Sequence, residues 1–342
     1  MVRRSWTSIW AKGMARSLVA LRKAAKPVRK TRLATRTPVP RRAAAPSRAN
    51  ASDTQIAGHW SAGVASGPTG ARRYRLYLPP GLLPGERVPM IVMLHGCGQD
   101  AKEFAASTRM NQVAAREHFI VLYPEQDRLA NRLGCWNWFE INSGRAYGEA
   151  ALVVAAVKQA CALFPVDRQR VAIVGLSAGA SMAALLVTRY PERFKAVVMH
   201  SGIAPGTAHS ALTALRAMRG RRAAASLPAT PPTMAKSWPP LLVIHGTGDT
   251  VVDMRNGRFA VQVWADAAGA RAMAERRVQR GKRYAMNVTD FKHQGCTVAT
   301  LAAVERLGHA WSGGATRQPF GDARGPDASR MAWAFAVKAF RN

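Results

Sequence analysis

Residues 171–182 read VAIVGLSAGASM, where a β-branched apolar run meets a Gly-x-Ser-x-Gly turn and passes straight into alanine-rich, helix-favouring sequence. A serine between a strand and a helix is well placed to cap the helix by accepting a hydrogen bond from an orphan N–H of its first turn. Taken alone, that is its usual role. Gly175 and Gly179, two residues to either side of Ser177, point elsewhere. A sharp strand-to-helix turn strains its central residue and brings neighbouring backbone so close that only hydrogen fits on the flanking α-carbons. Such a turn pushes the serine hydroxyl out of the sheet edge, where a substrate can meet it. The reading requires a buried strand over 170–174 and a helix over 178–190, and the residue pattern supports both.

From about residue 53 the chain alternates short β-branched runs with helical patterns, the signature of an α/β catalytic domain whose mostly parallel central sheet is flanked by helices. Expected strands cover 74–78, 90–94, 119–123, 170–174, 196–200, 241–244 and 298–307. Expected helices cover 104–118, 148–164, 178–190, 256–268 and 328–340. Residues 204–240 carry six prolines and no sustained period; they are expected to be an irregular excursion over the catalytic face. Glycine-rich phosphate loops and internal repeats are absent.

A serine hydroxyl becomes a useful nucleophile when a base takes its proton, and the base works best when an acid fixes its tautomer. In this kind of fold the chain order is serine, acid, histidine. Among the downstream histidines, His309 lies in LGHAWSGG between the last strand-like run and the C-terminal helix, with glycines at 308, 313 and 314. Asp249 ends the apolar run LLVIHGTGD and is the expected acid, with Asp253 a close competitor and Asp290 a distant one. A tetrahedral oxyanion needs preorganised N–H donors. Ala178, the residue after the serine, supplies one, and Cys97 in MIVMLHGCGQ supplies another from an early strand-to-helix loop. His95 and Cys97 are also metal-ligand types, but no second spaced pair accompanies them, so no metal is expected.

The formal charge of +31 is unevenly placed. Residues 1–50 hold 14 of the 50 basic residues and none of the 19 acidic ones, which leaves +17 on the other 292. A basic arm over residues 1–52 is implied, rich in Pro, Ala, Arg and Thr after Pro27 and expected to be a solvated tail. Trp6, Trp10, Met14, Leu18 and Leu21 recur at three- or four-residue spacing among Arg4, Lys12, Arg16, Arg22 and Lys23, which suits an amphipathic helix on an anionic surface or polymer granule. Nucleic acid is the less favoured partner. The longest apolar stretch near the start is shorter than the roughly 7–15 residue core of a secretory signal, and no run of about 18 apolar residues suggests a transmembrane helix. Of the four cysteines, Cys161 fits a buried helical position, while Cys97 and Cys135 occupy loops near the site. A disulfide between those two suits an oxidising compartment, although spacing alone does not establish the pairing.

The segments MLHGCGQDAKEFAASTRMN, VLYPEQ, CWNWF, GLSAGASMAALL, HSG, HGTGDTVV and GHAWSGG, in that order, resemble the poly(3-hydroxybutyrate) depolymerase family of esterases. That family is related to feruloyl and acetylxylan esterases in the α/β-hydrolase superfamily. The resemblance implies an α/β-hydrolase fold and a serine carboxylesterase acting on short-chain hydroxyalkanoate esters through an acyl-enzyme, without a cofactor. It implies a triad of Ser177, Asp249 and His309, oxyanion donors at Cys97 and Ala178, and a Cys97–Cys135 disulfide. Trp136, Trp138 and Trp311 are expected to border the cleft, plain core being the alternative for each. Feruloyl or acetylxylan ester hydrolysis is the rival within the class, and an inert hydrolase domain carried by a functional arm is the rival outside it. Ala180 stands where family members often have a second glycine. Many relatives are secreted, but the arm lacks a recognisable signal, so the expected compartment is divided between extracellular and cytoplasmic or granule-associated. No substrate-binding module follows residue 342, so oligomers, amorphous granules or small esters are expected over crystalline polymer.

Overall fold

The computed structural model describes residues 58–221 and 238–341. The basic arm, its amphipathic pattern and residues 222–237 lie outside them. In chain order the sheet strands are β1 (His59–Gly67), β2 (Gly70–Leu78), β3 (Val88–Leu94), β4 (Ile120–Pro124), β5 (Val166–Leu176), β6 (Ala196–His200), β7 (Leu241–Gly246), β8 (Arg271–Ala272), β9 (Arg276–Val278), β10 (Met286–His293) and β11 (Cys296–Val304). The helices are α1 (Ala101–Thr108), α2 (Met110–Glu117), α3 (Arg145–Leu163), α4 (Ala178–Arg189), α5 (Ala211–Met218), α6 (Arg255–Ala268) and α7 (Ala328–Phe340). Two short strands, β12 (Trp311–Ser312) and β13 (Gly321–Asp322), pair separately.

The main sheet runs β1-β2-β4-β3-β5-β6-β7-β11-β10-β8, with β9 beside β10. The inner strands β4, β3, β5, β6, β7 and β11 are mutually parallel, and antiparallel strands finish both edges. Parallel strands covered on both faces must be apolar throughout, and every residue of β3, β4, β6 and β7 is buried. Strand alternation divides the faces. Ile91 and Met93 of β3 share a cluster with Phe104 of α1, Val113 of α2 and Ala332 of α7. Helices α3, α4 and α6 pack on the sheet as well. Helix α3, with 19 residues, is apolar enough to cross a bilayer by composition alone, but it lies against the sheet with Leu152, Val153 and Val157 buried.

Chain order reverses beside β3, whose neighbours are β4 on one side and β5 on the other. In open α/β sheets, crevices at the carboxyl ends of strands around such a point are where ligands bind. The loops that follow β3, β4, β5, β6, β7 and β11 all leave from that edge.

Two expectations need correction, and some strands carried none. The helix expected over 104–118 is two helices, broken at Arg109, whose φ of 58° is left-handed. The break frees carbonyls for tertiary use: Ser107 O accepts the Ala315 N–H (2.9 Å) and Thr108 O accepts the Ser329 hydroxyl (2.7 Å). The Arg109 guanidinium also donates to the Gly313 carbonyl, so the break is anchored to the loop that carries His309. Residues 204–240 are not wholly irregular, because α5 forms there behind a capping box of Ser210 and Thr213. Strand β1 at one edge, and β8, β9 and β10 toward the other, carried no sequence expectation. In the first, HWSAGVASG, the alternating Trp60, Ala62 and Val64 are exposed and the inward positions Ser61, Gly63 and Ala65 are small, so its alternation does not mark a buried face.

Candidate active site

Ser177 sits between β5 and α4 at φ 55° and ψ −120°, a conformation costing about 1–3 kcal/mol for a residue with a side chain. Its hydroxyl makes no capping bond. The main chain is held instead, with the Ser177 N–H donating to His200 O (2.9 Å) and the Ser177 carbonyl accepting the Ser181 N–H (3.1 Å). The glycines answer to contact. A Cβ on Gly175 would collide with the Gly179 carbonyl, and one on Gly179 would collide with the carbonyls of Leu94 and His95 at the end of β3. The departure at Ala180 also has a partner. A Cβ on Gly202 would stand 2.6 Å from the Ala180 Cβ, so the missing side chain at 202 makes room for the methyl at 180.

The structure brings the expected acid and base together. His309 Nδ1 lies 2.7 Å from Asp249 Oδ2. Asp249 Oδ1 accepts the N–H groups of Val251 and Val252, both at 2.9 Å. Burial alone would raise this carboxyl, but the adjacent His309 charge and hydrogen bond, helped by His245 and the Val252 N–H, bring it down to about 2. The ionised carboxylate can only accept, so the His309 Nδ1 carries a proton, and Nε2 is the ring nitrogen not committed to Asp249. Nε2 has no partner among the described residues. Backbone contacts fix the two loops against each other: Gly248 N–H donates to Leu307 O (3.0 Å) and Thr247 N–H to Val304 O (2.9 Å). The competing acids are engaged elsewhere, Asp253 with Arg255 (2.9 Å) and Asp290 with Arg276 (2.7 Å).

Among the described residues the N–H groups of Ala178 and Cys97 have no hydrogen-bond partner, as donors awaiting an anion should be. The loop that carries Cys97 is clamped. Cys97 and Cys135 form a disulfide 38 residues apart, a loop closure worth about 4 kcal/mol in the chain-entropy picture. Gly98 N–H donates to Leu133 O (2.9 Å) and Trp136 Nε1 to His95 O (3.0 Å). His95 Nε2 accepts the Gln126 N–H (3.0 Å) while Nδ1 donates to Gly96 O (2.8 Å). Burial lowers its pKa, so the ring is neutral, and both of its nitrogens are engaged in holding the loop.

All three tryptophans expected on the cleft are buried in the core. Trp136 and Trp311 are fully buried, with Trp136 bound to the loop that carries Cys97 and Trp311 stacked on His200 at 5.0 Å and held by Ser329 (3.1 Å). Their polar N–H groups serve internal partners, so the rings support the site from behind. Trp138, 6% exposed, lies edge-on to Phe139. The sequence reading missed Glu149, whose buried carboxylate accepts from Gln126 Nε2 (2.8 Å) and from the Asn137 N–H (2.9 Å) and Nδ2 (2.6 Å). His200 and His245, passed over among the downstream histidines in favour of His309, are both fully buried in the region of Asp249 and His309. Their signal was present in HSG and HGTGD, at the ends of two apolar strands.

Residues 72–280 match the family described as esterase PHB depolymerase. The chain belongs to this family. Membership makes it a carboxylic ester hydrolase. Feruloyl esterase B of Neurospora crassa is 29% identical over 215 residues, 60% of this chain and 72% of that protein. Poly(3-hydroxyalkanoate) depolymerase C of Paucimonas lemoignei is 37% identical over 107 residues, 31% of this chain and 26% of that one. Among solved structures, an acetyl xylan esterase from Aspergillus awamori superposes with a TM-score of 0.54 at 18% identity, covering 73% of this chain and 94% of its own. At that identity the likeness bears on the α/β-hydrolase fold.

Two predictions follow from this packing and charge. Gly202→Ala should cost about 1–3 kcal/mol by overpacking, and adding Ala180→Gly should recover part of the loss; urea midpoints of the four chains measure both, and a neutral Gly202→Ala would remove the proposed compensation. Asp249 is depressed from 3.8 to about 2, so its contribution of about 2 kcal/mol is present above pH 4 and lost as pH falls through about 2. Asp249→Asn should therefore be less stable than the wild type near neutrality. The gap should close between about pH 4 and pH 2, and a gap independent of pH would contradict the assignment.

Proposed function

We propose that the protein is a serine esterase in which Ser177 is the nucleophile, His309 the general base and Asp249 the acid that orients it. The observation that carries this reading is the 2.7 Å contact between His309 Nδ1 and Asp249, at the strand ends beside a strained serine turn. Ser177 Oγ attacks the ester carbonyl as His309 Nε2 takes its proton. The N–H groups of Ala178 and Cys97 hold the oxyanion. His309 returns the proton to the departing alkoxide, leaving an acyl-Ser177. Water, activated by His309, then releases the acid and restores the serine.

For the substrate, we favour esters of short hydroxyalkanoic acids, such as 3-hydroxybutyrate oligomers. The 37% identity to a poly(3-hydroxyalkanoate) depolymerase supports this choice. The second reading, a feruloyl or acetylxylan esterase, is supported by the longer match to feruloyl esterase B and by an acetylxylan esterase of Talaromyces purpureogenus, 25% identical over 57% of this chain and 53% of that protein.

The test has two stages. Turnover of p-nitrophenyl butyrate should fall by about 10⁴-fold or more in Ser177→Ala, and retained activity would overturn the mechanism. The wild type is then offered 3-hydroxybutyrate oligomers, methyl ferulate and acetylated xylan in parallel. The favoured reading predicts the highest kcat/KM on the oligomers, and turnover of only the aromatic or sugar esters would replace it with the second.

A further inference from the structure

We propose that His200 is a positioning residue that ties the Ser177 turn to the His309 loop through a ring nitrogen that only accepts. The inference rests on the triad reading above and concerns a residue outside it. His200 ends β6, between the strands that deliver Ser177 and Asp249. Its carbonyl accepts the Ser177 N–H at 2.9 Å. Its Nε2 lies 3.1 Å from the backbone nitrogen of Ser312, three residues beyond His309. One residue therefore touches the backbone on both sides of the expected proton transfer.

The chemistry of the ring follows from those partners. A backbone N–H can only donate, so Nε2 must hold a lone pair and the ring proton must sit on Nδ1. The surroundings agree: burial, then the charges of His245 and His309, against the opposing pull of Asp249, lower this imidazole to about 3. The ring stacks on Trp311, centroids 5.0 Å apart and planes 24° apart. Trp311 is itself fixed edge-on by Phe104 at 5.6 Å. A protonated ring would lose the Ser312 bond and set a second cation near His309.

The other nitrogen explains why packing alone does not account for a histidine here. Nδ1 is buried without a partner among the described residues, and a buried unpaired donor is a cost that a stacked hydrocarbon ring would avoid. Phenylalanine could fill the place against Trp311. What histidine adds is the acceptor for Ser312, and that acceptor reaches the segment carrying the base.

His200→Phe keeps the stacking and removes the acceptor, and His200→Gln restores an acceptor at a similar reach. On p-nitrophenyl butyrate, His200→Phe should lower kcat roughly tenfold to a hundredfold, the scale of a small misplacement in a catalytic group. KM should stay within about twofold and the melting temperature within a few degrees, with His200→Gln recovering a substantial part of kcat. Unchanged kcat in the Phe variant, or parallel losses of kcat, KM and melting temperature that Gln does not relieve, would overturn the proposal. A readout that needs no variant is ¹⁵N NMR of the wild-type ring, which should show Nδ1 protonated and Nε2 bare from about pH 5 to pH 9. A proton on Nε2 contradicts it. Failure of the triad reading shows separately, as undiminished turnover in Ser177→Ala.

Discussion

The site depends on a close backbone approach. Gly179 lies against the carbonyls of Leu94 and His95 so tightly that a Cβ would not fit, and Gly175 lies as tightly against Gly179. That contact joins three things: the end of β5, the start of α4 and the first strand-to-helix loop. It forces Ser177 into a left-handed backbone with its hydroxyl uncommitted. It also places the Ala178 N–H near the loop that offers the Cys97 N–H. The strain of one residue is offset by a sheet whose inner strands are buried on both faces.

Around that contact the protein invests in buried polar structure. On one flank, Glu149, Gln126, Asn137 and the Cys97–Cys135 disulfide fix the loop after β3. On the other, Asp249 accepts from two backbone N–H groups and contacts His309, and Gly248 and Thr247 tie the Asp249 loop to the His309 loop. The broken helix at Arg109 sends its guanidinium and freed carbonyls to the same region. Preorganisation of this kind lets a few donors act at full strength when charge develops on the substrate. It also explains why Trp136 and Trp311 are buried, because their N–H groups hold the scaffold and their rings fill the space behind it.

Much of this was legible in sequence because it is written in local chemistry. The Gly-x-Ser-x-Gly turn, the acid after β7 and the histidine after β11 each end an apolar run with glycines, and chain order did the rest. Ala196–His200 and Ala328–Phe340 matched their expected bounds for the same reason: uninterrupted apolar periodicity between clear stops. What escaped notice depends on contacts distant in sequence. Nothing around Arg109 announces a helix break, which is stabilised by Gly313, Ala315 and Ser329. The buried tryptophans look the same in sequence as cleft tryptophans, since only the fold decides which side of a loop they occupy. The compensation between Gly202 and Ala180 is likewise a tertiary fact.

The central claim is that Ser177 is the one hydroxyl made nucleophilic by this arrangement. The most direct measurement is intact mass and peptide mapping after treatment with a small fluorophosphonate, which forms a stable phosphonyl ester with an activated serine. The account predicts a single adduct, located on Ser177, formed slowly when Asp249 is replaced by Asn and absent when Ser177 is replaced by Ala. An adduct on another residue, or none on a folded protein that still hydrolyses esters, would contradict it.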